Sequence, residues 1–220
     1  MEFQHFFDPL FFGMEITFSI IAFIFCFLIY HKTGESYELT KYEGIRYFRD
    51  SFLFFGLSYL VRFMFILVLL SRFTFDLILP RAIIVAFLIL PLGYFSTVGI
   101  FYLIFSTIWK KFKGKNLIIL GHVLAVSLSL ISFSGKSHLI LLLLQSFLLL
   151  LGIILNSIML KGEKRVTMIR MLYLLVSVLW LANLWIAGRP RPFSYIGILF
   201  QFASLGVFLL IYYKISKWVR

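Results

Sequence analysis

Apolar residues follow one another along most of this chain in long runs, which are interrupted by short groups of charged residues, glycine and proline. A helix needs about 20 apolar residues to cross the ~30 Å hydrocarbon core of a bilayer. Reading each run up to its flanking charges predicts seven membrane-spanning helices. Their predicted bounds are Pro9–Tyr30, Tyr47–Leu70, Ala82–Trp109, Asn116–Phe133, His138–Leu160, Val166–Ala187 and Phe193–Tyr213. The pattern therefore predicts an all-α integral membrane protein whose residues 1–220 form one membrane domain.

The composition leads to the same class of protein, because 62% of the residues are hydrophobic and only 14% are charged. The net charge of +12 could suggest nucleic acid, but the basic residues occur as short clusters between apolar runs. Such clusters are typical of topology signals and of contacts with lipid headgroups. We therefore expect membrane lipids as partners and no nucleic acid.

The basic residues between the predicted spans also indicate an orientation. One alternating set of connections holds fourteen of them: Lys32, Lys41, Arg46, Arg49, Lys110, Lys111, Lys113, Lys115, Lys161, Lys164, Arg165, Lys214, Lys217 and Arg220. The other set holds five: Arg72, Arg81, Lys136, Arg189 and Arg191. Because cytoplasmic loops are enriched in Lys and Arg, we expect the N-terminus outside and the C-terminus inside, in the plasma membrane.

Two of the predicted spans share a sequence pattern that suggests an internal repeat. Phe95–Ile104 reads FSTVGIFYLI and Phe202–Ile211 reads FASLGVFLLI, with five identical positions out of ten, including Gly99 with Gly206. If residues 9–109 and 138–213 are copies, helix 116–133 is the linker that makes them parallel, which gives a 3+1+3 layout. Chance similarity between two helices rich in Phe, Leu and Ile is the alternative.

This layout resembles, in architecture alone, that of the small seven-helix sugar transporters and of related carriers and receptors. The Pro-Gln signature of that group is absent from this chain. In parallel-repeat transporters the substrate binds near the middle of the membrane, between the two halves. The resemblance therefore implies a solute site between the two predicted three-helix units.

Five polar side chains lie in the outer part of five predicted spans, between ~6 and ~12 Å below their outer ends at 1.5 Å per residue. They are Glu15, Arg62, Gln145, Asn183 and Gln201. Because an ionisable side chain in hydrocarbon costs roughly 2.5–3.5 kcal/mol, it usually faces a partner or a water-filled cavity. We expect an outward-facing ligand pocket in which Arg62 and Glu15 pair when it is empty, with Tyr59 and Trp180 as aromatic walls. A closed structural ion pair with interhelical hydrogen bonds is the alternative.

Helical spacing extends these residues into polar or small-residue faces that should turn inward. The faces contain Glu15, Ser19, Ala22 and Cys26; Gln145, Gly152 and Asn156; Ser177, Trp180 and Asn183; Gln201 and Ser204. A second polar layer is predicted near the inner surface, with Asp50, Arg170 and Asn156. Pairing of Asp50 with Arg170 would form an inner latch opposite the outer ion pair.

The sequence lacks the signatures of the enzymes and photoreceptors that are built on membrane helices. Residues 193–213 contain no lysine for a retinal Schiff base, and the four histidines have no metal-binding spacing. Nucleophile-elbow and Walker motifs are absent as well. We therefore expect no catalytic activity, no bound metal and no cofactor.

Three kinds of function remain. The leading prediction is a small transporter that moves a small polar or anionic solute by alternating access between its two halves. The second is a seven-helix receptor or sensor that signals through its basic inner loops to a cytoplasmic protein partner. The third is a non-catalytic membrane scaffold, and a homo-oligomer is compatible with each.

Overall fold

The computed structural model describes residues 9–75, 80–109, 115–135, 138–159, 171, 173–180 and 195–219. These residues are helical apart from short turns. The helices are α1 (Pro9–Thr40), α2 (Glu43–Phe75), α3 (Arg81–Ile108), α4 (Lys115–Ser134), α5 (His138–Met159), α6 (173–180) and α7 (Tyr195–Val219). Most of the predicted sixth span lies outside the described residues, so α6 is known here only over two turns.

Six of these helices, all except α6, are long and apolar enough to cross a membrane. A helix satisfies all of its own backbone hydrogen bonds, which is the requirement for a segment surrounded by lipid. The chain is therefore an all-α, multi-pass integral membrane protein. The seventh span, the orientation and the repeat stay predictions.

The predicted loop between the first two spans is wrong, because both helices continue through it. Only Lys41 and Tyr42 separate α1 from α2, and Lys41 makes the turn with a positive φ of 51°. Charged residues end an apolar run but they do not end a helix. Here, ion pairs between residues three apart, Lys32 with Glu35 and Glu43 with Arg46, support the helices on both sides of the turn.

The resulting α1–α2 hairpin is longer than a bilayer is thick. At 1.5 Å per residue, α1 and α2 measure ~48 and ~50 Å, compared with a hydrocarbon core of ~30 Å. The turn at Lys41 therefore projects well beyond the hydrocarbon. We call the end of the bundle that contains this turn the Thr40 end, and the end where α1 begins the Glu15 end.

Helix α3 occupies the centre of the described bundle. It packs against α2, α4 and α5, whereas α1 packs against α2 and α7. Every residue from Ser96 to Ile108 is buried. Gly99 allows the close approach of α2, because a Cβ atom at this position would lie 2.6 Å from ring atoms of Phe55. A helix surrounded by other helices has no face turned to water, and the buried hydroxyl groups of α3 bond within the protein.

The two glycines that the repeat aligns have different surroundings. Gly99 is packed against Phe55, whereas Gly206 on α7 is exposed and a Cβ atom there would have no neighbour within 4 Å. The difference follows from position, since α3 is central and α7 contacts α1 at the edge of the described bundle. The same sequence pattern therefore occurs in two different packing environments.

Candidate functional site

Three helices meet at Glu15 near one end of the bundle. Arg62 of α2 donates from Nη2 to Oε2 of Glu15 at 2.5 Å, and Gln201 of α7 donates from Nε2 to Oε1 at 2.6 Å. Both carboxylate oxygens of Glu15 thus have a donor. The predicted pairing of Arg62 with Glu15 is confirmed, and Gln201 joins it. We call these three residues the Glu15 cluster.

The Glu15 cluster is almost fully enclosed by the protein. The exposed fraction of the side chain is 7% for Glu15 and 19% for Arg62. The Arg62 guanidinium also lies over the ring of Phe18, with its Cζ 5.7 Å from the ring centroid. A charge pair in this setting holds α1 against α2 at the Glu15 end, because separating the two helices would expose two opposite charges to an apolar surrounding.

An aromatic layer lies one helical turn from Arg62 toward the middle of the bundle. Tyr59 is at its centre and makes edge contacts with Phe18 at 5.9 Å, and with Trp180 and Phe208 at 6.0 Å each, between ring centroids. Trp180 also stacks on Phe55 at 4.5 Å. The two predicted aromatic wall residues, Tyr59 and Trp180, are therefore in contact with each other.

Several buried polar side-chain atoms in the described part of the chain have no hydrogen-bond partner by distance and angle. They belong to Ser19, Tyr59, Asn156, Tyr173, Ser177, Trp180 and Ser216, and the unbonded atoms of Asn156 are both its Oδ1 and its Nδ2. A buried polar group left unbonded costs about 1–3 kcal/mol. Native proteins retain few such groups, and each one calls for an explanation such as a functional role or a bound molecule.

Three of these unbonded residues lie on one face of α6. Tyr173, Ser177 and Trp180 follow each other at spacings of four and three residues and are all buried. A Cβ atom at Gly152 would lie 1.8 Å from the hydroxyl oxygen of Tyr173, so the phenol fills the space beside this glycine of α5. Asn156 follows Gly152 by one turn on α5. The unbonded groups thus extend from the aromatic layer toward the Thr40 end.

Gln145 does not join the Glu15 cluster. Its Nε2 donates to the hydroxyl oxygens of Ser96 at 2.6 Å and Thr97 at 3.0 Å, so the side chain ties α5 to α3. The expected common layer of five residues is wrong for Gln145, because the hydroxyl groups on the adjacent face of α3 provide it with partners. Asn183 lies outside the described residues.

The predicted inner layer is only partly described. Asp50 accepts from its neighbour Arg49, with Nη2 2.8 Å from Oδ1, and the Arg49 guanidinium lies over the ring of Tyr30 at 5.0 Å. Arg170, the predicted partner of Asp50, lies outside the described residues. Asn156 is fully buried and unbonded.

The predicted inward faces are confirmed wherever the structure describes them. Buried members are Glu15, Ser19, Ala22, Cys26, Gln145, Gly152, Asn156, Ser177, Trp180, Gln201 and Ser204. The sequence reading missed Tyr173, although its spacing of four residues from Ser177 was a usable signal. Among the described residues, no three His, Cys, Asp or Glu side chains come together as a metal site.

Comparison with known proteins identifies a relative but no function. The chain is 35% identical over 217 residues to an uncharacterized protein of Archaeoglobus fulgidus, and the alignment covers 94% of this chain and 93% of that protein. No protein-family model matches the chain. No solved structure matches it either.

Proposed function

The chain belongs to the same family as the Archaeoglobus fulgidus protein, and we propose that it is a small plasma-membrane carrier for a small polar or anionic solute. In this proposal seven spans form two parallel three-helix units joined by α4, and alternating access between them moves the solute. The Glu15 end faces outward, as the distribution of basic residues favours. No chemical reaction is involved, and a homo-oligomer is compatible with this function.

The observation that carries the proposal is the set of buried, unbonded polar groups behind a closed ion pair. In a purely structural bundle these groups would lower stability without any benefit. In a carrier they have partners in another conformation, when solute or water enters between the helices. The described structure then corresponds to a conformation in which the Glu15 cluster closes the outer end.

The Glu15 cluster can open because its hydrogen bonds can exchange partners. Glu15 and Arg62 belong to the first three-helix unit and Gln201 to the second, so movement between the units would separate Gln201 from Glu15 while Arg62 stays paired with the carboxylate. An incoming solute or water could then donate to Glu15 in place of Gln201. Opening therefore exchanges hydrogen bonds instead of leaving bare charges, which keeps the energy difference between two conformations within a few kcal/mol. This is what alternating access needs.

A receptor is the second candidate, and the α1–α2 hairpin is the observation that favours it. The hairpin projects past the hydrocarbon, and Leu39 near its turn is 74% exposed. A cytoplasmic protein could dock there and report a change in the Glu15 cluster. A scaffold would need neither the unbonded groups nor a second conformation.

Cysteine accessibility separates these functions without knowledge of the solute. In a Cys26→Ala background, Ser177→Cys places a thiol at a position that is 0% exposed in this structure. A carrier must expose this position to water from each side in turn. We expect a small membrane-impermeant thiol reagent to label it both in intact cells and in inverted vesicles.

The matched control is Ser129→Cys in the same background. Ser129 is buried at 2% exposure, lies beside Gly93 where α4 packs on α3, and bonds to the carbonyl of Ala125. It should stay unlabelled. If position 177 is labelled from the outer side alone, the result would favour the receptor function. If it is labelled no faster than position 129, the result would favour the scaffold function.

A further inference from the structure

We propose that the solute site is formed by the unbonded groups around Asn156, and that it takes an uncharged solute that both donates and accepts hydrogen bonds. This inference rests on the proposed carrier function and names its substrate class. It separates the site that recognises the solute from the Glu15 cluster, which closes the path to it.

The unbonded groups around Asn156 converge from two helices. Asn156 follows Gly152 by one turn on α5, and the Tyr173 hydroxyl of α6 fills the space beside that glycine. Ser177 follows Tyr173 by one turn on α6, and both side chains are 0% exposed. One amide and two hydroxyl groups thus lie on the facing sides of α5 and α6; both amide atoms of Asn156 have no hydrogen-bond partner, and the Tyr173 and Ser177 hydroxyls have no partner other than each other.

These groups offer donors and acceptors together. The Asn156 amide has a donating nitrogen and an accepting oxygen, and a tyrosine or serine hydroxyl can do either. A solute that only accepts would leave the Asn156 oxygen unbonded, and a solute that only donates would leave its nitrogen unbonded. Small amides and polyols carry both kinds of group and would satisfy the whole set.

The charges of the described helices argue against an ionic solute. Two ion pairs of the described helices are largely buried, Glu15 with Arg62 and Asp50 with Arg49, and within each pair the charges neutralise each other. An ion without a countercharge in such an interior costs several kcal/mol. An anion could be compensated only by drawing Arg62 from Glu15 or Arg49 from Asp50, and the carboxylate left behind would then lack its countercharge.

The test is solute entry into proteoliposomes, followed by stopped-flow light scattering after a hyperosmotic shift. The uncharged probes are urea, acetamide and glycerol. The anionic probes are potassium nitrate and potassium methanesulfonate with valinomycin, so that potassium can follow the anion. We expect at least one uncharged probe to enter several-fold faster than into protein-free vesicles, and the anions to enter no faster.

The variant Asn156→Leu removes the amide at nearly constant volume. Entry of the uncharged probe should fall about tenfold, as expected for the loss of one hydrogen-bonded group in the solute complex. Asn116→Leu makes the same change at an exposed position near the start of α4, and should leave the rate unchanged. Should Asn156→Leu not fold, Ser177→Ala provides a smaller change in the same site, with an expected loss of a few-fold.

Three results would overturn the inference. Faster entry of an anion than of the uncharged probes, especially at acidic pH, would show that Arg62 recognises an anion, and the carrier function would stand without this substrate class. A wild-type rate in both site variants would place the solute elsewhere. If no probe enters proteoliposomes faster than protein-free vesicles, this result would also count against the substrate class. Labelling at position 177 then decides separately whether the chain is a carrier.

Discussion

Glu15 connects more of the structure than any other charged residue in the described spans. Its two carboxylate oxygens accept hydrogen bonds from α2 and α7, while α1 carries it. A guanidinium is always protonated in proteins, so Arg62 keeps its positive charge when it is buried. This charge is tolerated only as long as Glu15 neutralises it. Glu15 differs, because it keeps the hydrogen bond from Gln201 when Arg62 is removed.

This difference predicts unequal effects of removing the two partners. Glu15→Leu leaves a permanent buried charge and should lower the free energy of unfolding by about 3 kcal/mol. Arg62→Leu should cost less, about 1–2 kcal/mol, because the Glu15 carboxylate keeps its hydrogen bond from Gln201. The double variant should recover to within about 1 kcal/mol of the wild type. Reversible unfolding in mixed detergent micelles measures all three.

A matched control for this series is Lys217→Leu, which removes a charge from the exposed end of α7. Its effect should stay within about 0.5 kcal/mol. Equal costs for the two single variants, or an additive double variant, would contradict a coupled ion pair.

At the scale of elements, the packing of α3 depends on positions without a side chain. Gly99 admits the ring of Phe55, and Gly121 admits the ring of Phe105, which is 3.0 Å from the Cβ position. These contacts bring α2 and α4 close to α3 and contribute to the burial of residues 96–108. Small residues at helix interfaces have this role in membranes, where close packing replaces the hydrophobic driving force.

The two glycines aligned by the repeat offer a direct comparison. Gly99→Ala would place a methyl group 2.6 Å from the buried Phe55 ring and should destabilise the fold by about 1–3 kcal/mol. Gly206→Ala meets nothing within 4 Å and should be neutral, or stabilise by up to ~1 kcal/mol through helix propensity. Detergent unfolding of both variants checks this. Similar losses at the two positions would mean that α7 has a packed partner at Gly206.

At the scale of the whole molecule, the two ends of the bundle differ in charge and in shape. The Thr40 end carries the projecting α1–α2 hairpin with its charged residues, whereas the Glu15 end is closed by an ion pair between helices. The proposed function requires these ends to face opposite sides of the membrane in the predicted orientation. Both sides must therefore be probed in the same protein.

Two cysteine substitutions in a Cys26→Ala background test the orientation. Glu38→Cys lies near the hairpin turn and Ser134→Cys lies at the opposite end, where α4 finishes; both positions are exposed. An impermeant maleimide should label position 38 in inverted vesicles alone and position 134 in intact cells alone. The reverse result would invert the topology and place the Glu15 cluster at the cytoplasmic side.

The sequence by itself determined that this chain is a multi-pass helical membrane protein, since long apolar runs satisfy their backbone hydrogen bonds in lipid only as helices. It also predicted the contact between Arg62 and Glu15. Buried charges are few and their attraction is strong, so each has few possible partners. The inward faces were predictable for a related reason, because polar groups are unfavourable toward lipid.

Only the tertiary structure decided which uncharged polar groups meet. Gln145 could have bonded to many neighbours, and the position of α5 beside α3 selected Ser96 and Thr97. The same packing left both amide atoms of Asn156 without a hydrogen-bond partner, which no sequence pattern records. The structure also shows that α1 and α2 continue into a hairpin. Local ion pairs and the turn at Lys41 determine where these two helices end, whereas the end of the apolar run does not. Hydrogen bonds between uncharged groups act only over short distances, and many polar groups can serve as partners. Which groups pair therefore follows from helix packing and not from composition.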